Sequence, residues 1–185
     1  MALPAGRVIV LNGVGSVGKT SIAKAFQAAS AEVWLHVQMD SFLDMLPERC
    51  MDDPEGLRFI RHPGPPPEVE IRTGAAISRL VAGMRAAVAG LARAGNNVIL
   101  DDVLIDEDGS AHREALAGLD VFWVGLVAPL AVIEAREQAR GDRAIGLARW
   151  QFPRVHKHMT YDLVVDAAES SPADIARLIC VSLGA

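Results

Sequence analysis

Leu11–Thr20 reads LNGVGSVGKT, and its residues fit two anion-binding signatures at once. Gly13, Gly15 and Gly18 spell G-x-G-x-x-G, the fingerprint of a dinucleotide site. Gly13, Gly18, Lys19 and Thr20 spell G-x-x-x-x-G-K-T, a P-loop. Either reading puts a helix N-terminus under a phosphate, where unpaired N–H groups and the helix dipole attract negative charge. They part after Gly18. A dinucleotide site has no need of a Lys-Thr pair, whereas in a P-loop Lys19 reaches the β- and γ-phosphates and the Thr20 hydroxyl ligates Mg²⁺. Asp40, about twenty residues on, suits both readings and does not separate them. Asp101-Asp102 does, because a carboxylate closing an apolar strand completes the magnesium shell of a P-loop enzyme, directly or through water. Arg136, Arg140 and Arg143 point the same way: a triphosphate uses such a cluster and hydride transfer does not. At i, i+4 and i+7 they share a helical face if the helix persists past Gly141. The P-loop is the stronger reading, with main-chain groups from Gly13, Val14, Gly15, Ser16, Val17, Gly18, Lys19, Thr20 and Ser21 around the phosphates of ATP.

These residues need a scaffold that brings them together. Arg7–Leu11 is a β-branched run without polar alternation, as expected of a strand buried on both faces. Thr20–Ala29 carries Ile22, Ala25, Phe26 and Ala29 at helical spacing. Val33–Val37, Val98–Leu100, Val121–Val127 and Leu163–Val165 are further strands. Ile77, Leu80, Val81, Met84, Val88 and Leu91 define a long helix capped by Thr73 and stopped near Gly95. Ser110–Ala117, Pro129–Arg140, Leu147–His158 and a last helix opened by Ser171-Pro172-Ala173-Asp174 complete the pattern. Residues 47–72 read as irregular, since HPGPPP (His62–Pro67) fits neither helix interior nor central strand. Strands alternating with helices predict an α/β, three-layer P-loop fold: about five parallel strands, helices on both faces and a late Arg-rich lid. Right-handed crossovers then gather Gly13, Asp40, Asp101-Asp102 and the segment after Val127 at one edge of the sheet.

Composition bounds the function. A chain of 185 residues fits one domain over 1–185, able to bury roughly 70% of its unfolded surface. No apolar run approaches the roughly 20 residues of a membrane span, and the N-terminal run is too short for a signal peptide. A cytoplasmic protein with no membrane partner is expected. Net charge is −5, which argues against nucleic acid as a partner. Cys50 and Cys180 match no metal spacing and read as free thiols. A homo-oligomer is allowed by the sequence but not indicated.

Taken in order, VIVLNGVGSVGKTSIAKAF, VQMDSFLDMLPE, NNVILDDVL, LDVFWVGL, EAREQARGDRAIGLA and VHKHMTYDLVVD resemble the chloramphenicol phosphotransferase family, from about Val8 to Asp166. The resemblance implies an ATP- and Mg²⁺-dependent kinase for a hydroxyl of a small molecule, with the fold of shikimate and nucleoside monophosphate kinases. It implies a chloramphenicol-like antibiotic as acceptor, and hence antibiotic resistance. On that resemblance Asp40 is the acceptor-hydroxyl base, Lys19 the phosphate ligand and Thr20 the magnesium ligand, with one of Asp101 and Asp102 near the metal. Arg136, Arg140 and Arg143 form a lid over about 136–146, and about 41–75 lines the acceptor pocket. That last stretch departs most from the family pattern, so the phosphate chemistry carries over better than the acceptor.

Plainer readings stand beside these. Asp40 is a favoured helix cap. The arginines can pair with Glu134, Glu137 and Asp142 on an exposed helix, at little energetic gain. Asp106-Glu107-Asp108 before Gly109 reads as a solvated turn. His156 and His158 lack a third metal ligand nearby. Trp34, Trp123 and Trp150 read as core or pocket wall. Met39, Met45, Met51 and Phe42 suit an apolar pocket or the core equally. The rival functions are a kinase for another hydroxyl acceptor (a sugar, nucleoside, aminoglycoside-like drug or cell-wall precursor) and a nucleotide-binding switch without transfer activity.

Overall fold

The structure is a computed structural model describing residues 4–141 and 143–184. Five parallel strands lie in the order β2-β5-β1-β6-β7: β1 (Val8–Asn12), β2 (Trp34–Gln38), β5 (Asn97–Asp102), β6 (Val121–Val127) and β7 (Leu163–Asp166). The central strand shows why. Every residue of β1 is buried, and alternate side chains feed two different cores. Ile9 and Leu11 join Ile22 and Phe26 of α1 (Lys19–Ala29) and Ile175 and Ile179 of α7 (Pro172–Leu183). Val8 and Val10 face the other way, onto Met84, Val88 and Ala92 of α3 (Ala75–Arg93). Layers on both faces leave no wet side for polar alternation, which is the apolar pattern of the sequence.

Register places the chemistry. Leu11 pairs with Asp101, Asn12 with Asp102, and Gln38 with Asp101. The loop after β1, the end of β5 and the start of α2 (Met39–Leu43) therefore meet at the carboxyl edge of the sheet. Around it stand α4 (Asp108–Ala115), α5 (Leu130–Arg140) and α6 (Leu147–Gln151).

The structure departs from the sequence reading in several places. The segment expected to be irregular folds into an antiparallel hairpin, β3 (Leu57–His62) and β4 (Glu68–Thr73), with the proline run as its tip. Proline cannot donate within a ladder, but here the prolines lie outside it. The N-cap of α3 is Gly74, not Thr73. Helix α6 ends at Gln151, and turns replace the helix expected through His158. Among the described residues α3 alone is long and apolar enough to cross a bilayer, although the sequence reading found no such run. Its Ala-rich length carries only Arg79 and Arg85 before its last residue, and it buries Met84, Val88, Ala89 and Ala92 against the sheet. The capping start of α7 holds: Ser171 Oγ accepts the Asp174 N–H at 3.2 Å.

Candidate active site

The turn from β1 into α1 has little freedom. A Cβ on Gly13 would lie 2.7 Å from the Leu126 carbonyl oxygen and 2.9 Å from Val17 Cγ1. Gly18 has φ +113°, a left-handed backbone that suits glycine. Ser16 is also left-handed, and its buried Oγ has no hydrogen-bond partner. The loop is tied to distant chain. Fully buried Asn12 donates through Nδ2 to the Val155 carbonyl (2.9 Å) and Tyr161 Oη (2.7 Å), and accepts the Leu104 N–H (2.8 Å). The Gly15 N–H donates to Gln151 Oε1 at 2.8 Å.

Lys19 is buried, and its Nζ donates to the carbonyls of Gly13 (2.9 Å) and Val14 (3.2 Å), 4.0 Å from Asp101 Oδ1. Burial lowers its pKa below the usual lysine value, while Asp101 and Asp102 oppose the shift. The Thr20 hydroxyl donates to Asp101 Oδ2 at 2.6 Å, and His36 Nε2 lies 3.5 Å from the same oxygen. Burial pushes the Asp101 carboxyl up, but His36, Lys19 and Thr20 together hold it below its ordinary value. Asp102 is turned away: Oδ1 accepts the Val103 N–H at 2.7 Å, and Oδ2 lies 3.2 Å from Nε2 of buried His112, out of hydrogen-bond alignment. Of the two aspartates, Asp101 is the one beside Thr20. A hydroxyl and a carboxylate together suit Mg²⁺, which takes oxygen ligands and keeps several from water and phosphate. Among the described residues no three His, Cys, Asp or Glu side chains form a metal cluster. His156 Nδ1 instead lies 2.8 Å from Tyr161 Oη.

Asp40 sits in the first turn of α2 but does not cap it; Gln38 is the N-cap. Its Oδ2 accepts Nη2 of Arg143 at 2.6 Å, and its side chain is more than half exposed. The three arginines do not share a helical face. Helix α5 ends at Arg140, and Gly141 (φ 71°) turns the chain before Arg143. Arg136 is a strut, donating from Nη1 to the Val17 carbonyl (3.1 Å) and from Nη2 to that of Ala167 (2.9 Å). Their expected surface partners are engaged elsewhere. Glu134 binds Arg149 at 2.5 Å. Buried Glu137 accepts the N–H groups of Gly146 and Ala148, both at 2.8 Å. Asp142 lies outside the described residues.

One cavity of about 750 Å³ joins these groups. Lys19, Thr20, Asp101, Arg136, Arg140 and Arg143 line it together with Asp40. It continues past Phe59 and Ile71, which pair across the hairpin, to Ile77, Val81 and Ile105. Met39 lines it. Phe42 and Met45 line a separate shallow groove, and Met51 is exposed. Trp34 and Trp123 are buried in the two cores. Trp150 lies under the Arg154 guanidinium.

Sequence reasoning missed the hairpin, His36, Glu137 and the fate of Asp108. Alternation in LRFIRH and EVEIRT was a signal for the hairpin, outweighed by the prolines between them. His36 is a lone histidine in a strand, and nothing local marks it. Asp108, read as part of a solvated turn, instead enters the cavity wall.

A parallel sheet with the P-loop strand at its centre, Lys19 and Thr20 meeting a strand-end carboxylate, and an adjoining apolar cavity define a P-loop kinase. Comparisons agree. The profile of the chloramphenicol phosphotransferase-like proteins matches residues 6–183. A Mycobacterium tuberculosis protein provisionally named an O-phosphotransferase is 30% identical over 192 residues, spanning 95% of this chain and 81% of that protein. The solved APS kinase CysC of Mycobacterium tuberculosis, in complex with AMPPNP and APS, superposes with TM-score 0.70 at 17% identity, covering 98% of this chain and 99% of that one. A sugar kinase from Janibacter sp. HTCC2649 gives TM-score 0.66 at 19% identity, over 98% and 95%. These two structures share the fold. The chain belongs to the chloramphenicol phosphotransferase-like family and is a phosphotransferase of the small-molecule kinase type.

Proposed function

We propose that this protein transfers the γ-phosphate of ATP, with Mg²⁺, to a hydroxyl of a small molecule, with a chloramphenicol-like antibiotic as first candidate. The observation that carries this is the single cavity in which Lys19 and Thr20 face Asp40 beside an apolar chamber. Family membership supports the acceptor class. Residues 41–75 form the acceptor side, and the described residues of 136–146 the lid.

Main-chain N–H groups of the loop and the Ser16 hydroxyl hold the phosphates, and Lys19 exchanges its carbonyl partners for phosphate oxygens. Thr20 and Asp101 would hold Mg²⁺, which would supply charge neutralisation at the phosphate oxygens. Arg136, braced between Val17 and Ala167, flanks the nucleotide. Arg140 and Arg143 offset charge as it spreads over the transferring group. Asp40 aligns the acceptor hydroxyl, whose oxygen bonds to the γ-phosphorus as the bond to the bridging oxygen of ADP breaks. The hydroxyl proton passes to Asp40 late in the step. Holding the hydroxyl in line with the γ-phosphorus is the larger role of Asp40.

The test measures ADP release with ATP alone and then with a panel of hydroxyl compounds that includes chloramphenicol, sugars and nucleosides. Stimulation by one class identifies the acceptor. Tight ATP binding with no stimulation by any compound would replace this reading with that of a nucleotide switch.

A further inference from the structure

On the wall of the same cavity stands a charged pair that the phosphate machinery does not use. Arg85, from the middle of α3, donates through Nη2 to Asp108 Oδ1 at 3.0 Å, and its Nε lies 3.2 Å from His112 Nδ1, a nitrogen that also lies 2.9 Å from the Asp108 carbonyl oxygen. Asp108 Oδ2 also accepts the Ile105 N–H at 3.3 Å. The Arg85 side chain is 16% exposed and that of Asp108 43%. Both line the cavity with the apolar Ile77, Val81 and Ile105. Burial and the Asp102 charge push the Asp108 carboxyl up, and the Ile105 N–H, Arg85 and His112 pull it back.

A guanidinium has five N–H groups, and two of those on Arg85 point at Asp108 and His112. The rest add donors to a wall that carries Ser78 and Asp102 among its apolar residues, while the positive charge is opposed by Asp108. The pair is therefore donor-rich, and its two charges offset each other, with the Asp102 carboxylate a further negative group acting on Asp108. A carboxylate arriving here would compete with Asp108 for the one guanidinium and leave a carboxylate poorly paired. An ammonium group would draw Asp108 off and leave Arg85 uncompensated. Breaking a partly buried pair in either way is costly.

We infer that Arg85 and Asp108 set the charge class of the acceptor: they receive a second group on it that is uncharged and accepts hydrogen bonds, such as a carbonyl, nitro or hydroxyl oxygen, and they reject acceptors charged at that position. This rests on the cavity being the acceptor site of a kinase.

The test uses three 3-arylpropan-1-ols that differ only in the para group: carboxamide, carboxylate or aminomethyl. ADP release with Mg·ATP gives kcat/KM for each, and ligand-observed NMR gives binding. Wild-type protein should favour the carboxamide over both charged probes by about tenfold, a modest factor because Asp108 is partly solvated. Asp108→Asn should raise the carboxylate relative to the carboxamide by about tenfold, and Arg85→Gln should do the same for the aminomethyl probe. Because each readout is a ratio within one protein sample, partial misfolding cancels, and the two variants are independent. Equal scaling of all three probes in both variants overturns the inference, as does wild-type preference for a charged probe. So does the absence of binding by any probe to protein that still binds an ATP analogue. The kinase reading is tested separately, by titrating a fluorescent ATP analogue into wild type and Lys19→Ala; equal affinity would defeat that reading instead.

Discussion

At the scale of single residues the site is a set of opposed charges held close together. Asp40 and Arg143 already form an ion pair, so on the proposed function Asp40→Asn removes both the group that would orient the hydroxyl and the anchor of Arg143. Transfer should fall by about 10²–10⁴-fold, with nucleotide affinity within a few-fold of wild type; steady-state kinetics and an ATP-analogue titration measure the two. Lys19 has a lowered pKa because burial opposes its charge. Folding is therefore linked to losing that proton: below the unfolded value of about 10.4 burial of this lysine lowers stability, and the penalty is relieved as pH rises toward that value. Lys19→Met should abolish ATP binding yet melt at or above the wild-type temperature without nucleotide. Asp101 has the reverse linkage. Its folded pKa is depressed, so the stability it contributes is complete above the unfolded value of about 3.9 and is lost as pH falls through the lower folded value. Asp101→Asn should flatten that acid limb in thermal melts between pH 2 and 5. That Lys19, Thr20 and the Asp101-Asp102 pair would meet was legible in the sequence from motif spacing and strand-end position, but only the structure separates Asp101, beside Thr20, from Asp102. His36 was not legible, because its role depends on β2 lying beside β5, a register that no local pattern encodes.

At the scale of elements, the stretch from α5 to α6 depends on one buried carboxylate. Glu137 takes two main-chain N–H groups at the start of α6, which satisfies donors that a helix start otherwise leaves unpaired. Glu137→Gln presents an amide N–H₂ to one of them. The expected loss is about 1–3 kcal/mol, read as a lower melting temperature and faster proteolysis near residues 141–147. The sequence shows Glu137 only as one acid among several on a charged helix, so its burial could not be inferred. The same limit applied to the three arginines: i, i+4, i+7 spacing is a helical face only while the helix lasts, and Gly141 ends it. Strands β1, β5 and β6 were plain because burial on both faces leaves continuous apolar runs. The hairpin was hidden because its alternation is short and its tip is proline-rich.

At the scale of the whole molecule, sheet order and crossover handedness gather chemistry from residues 13 to 143 at one edge, as the alternation of strands and helices led one to expect. Ligand binding should therefore be felt throughout the fold. Mg·ATP at about 100 times its dissociation constant adds roughly 2.7 kcal/mol. For a chain of this size that is a rise of about 5–10 °C in melting temperature, visible by scanning fluorimetry. Thr20→Val should remove the part of that rise that requires Mg²⁺ and leave a smaller Mg²⁺-independent part.

The hairpin stands outside the five-stranded sheet, and its two strands split by parity. Phe59 and Ile71 look into the cavity, while the alternate positions carry His62, Glu70 and Arg72 in an outer ionic chain. On the proposed function, substitutions on the inner set should change which alcohol is turned over while leaving nucleotide affinity unchanged, and substitutions on the outer set should leave both unchanged; steady-state kinetics and an ATP-analogue titration measure the two. The proposed acceptor chamber is thus walled in part by an element separate from the sheet that carries the phosphate loop.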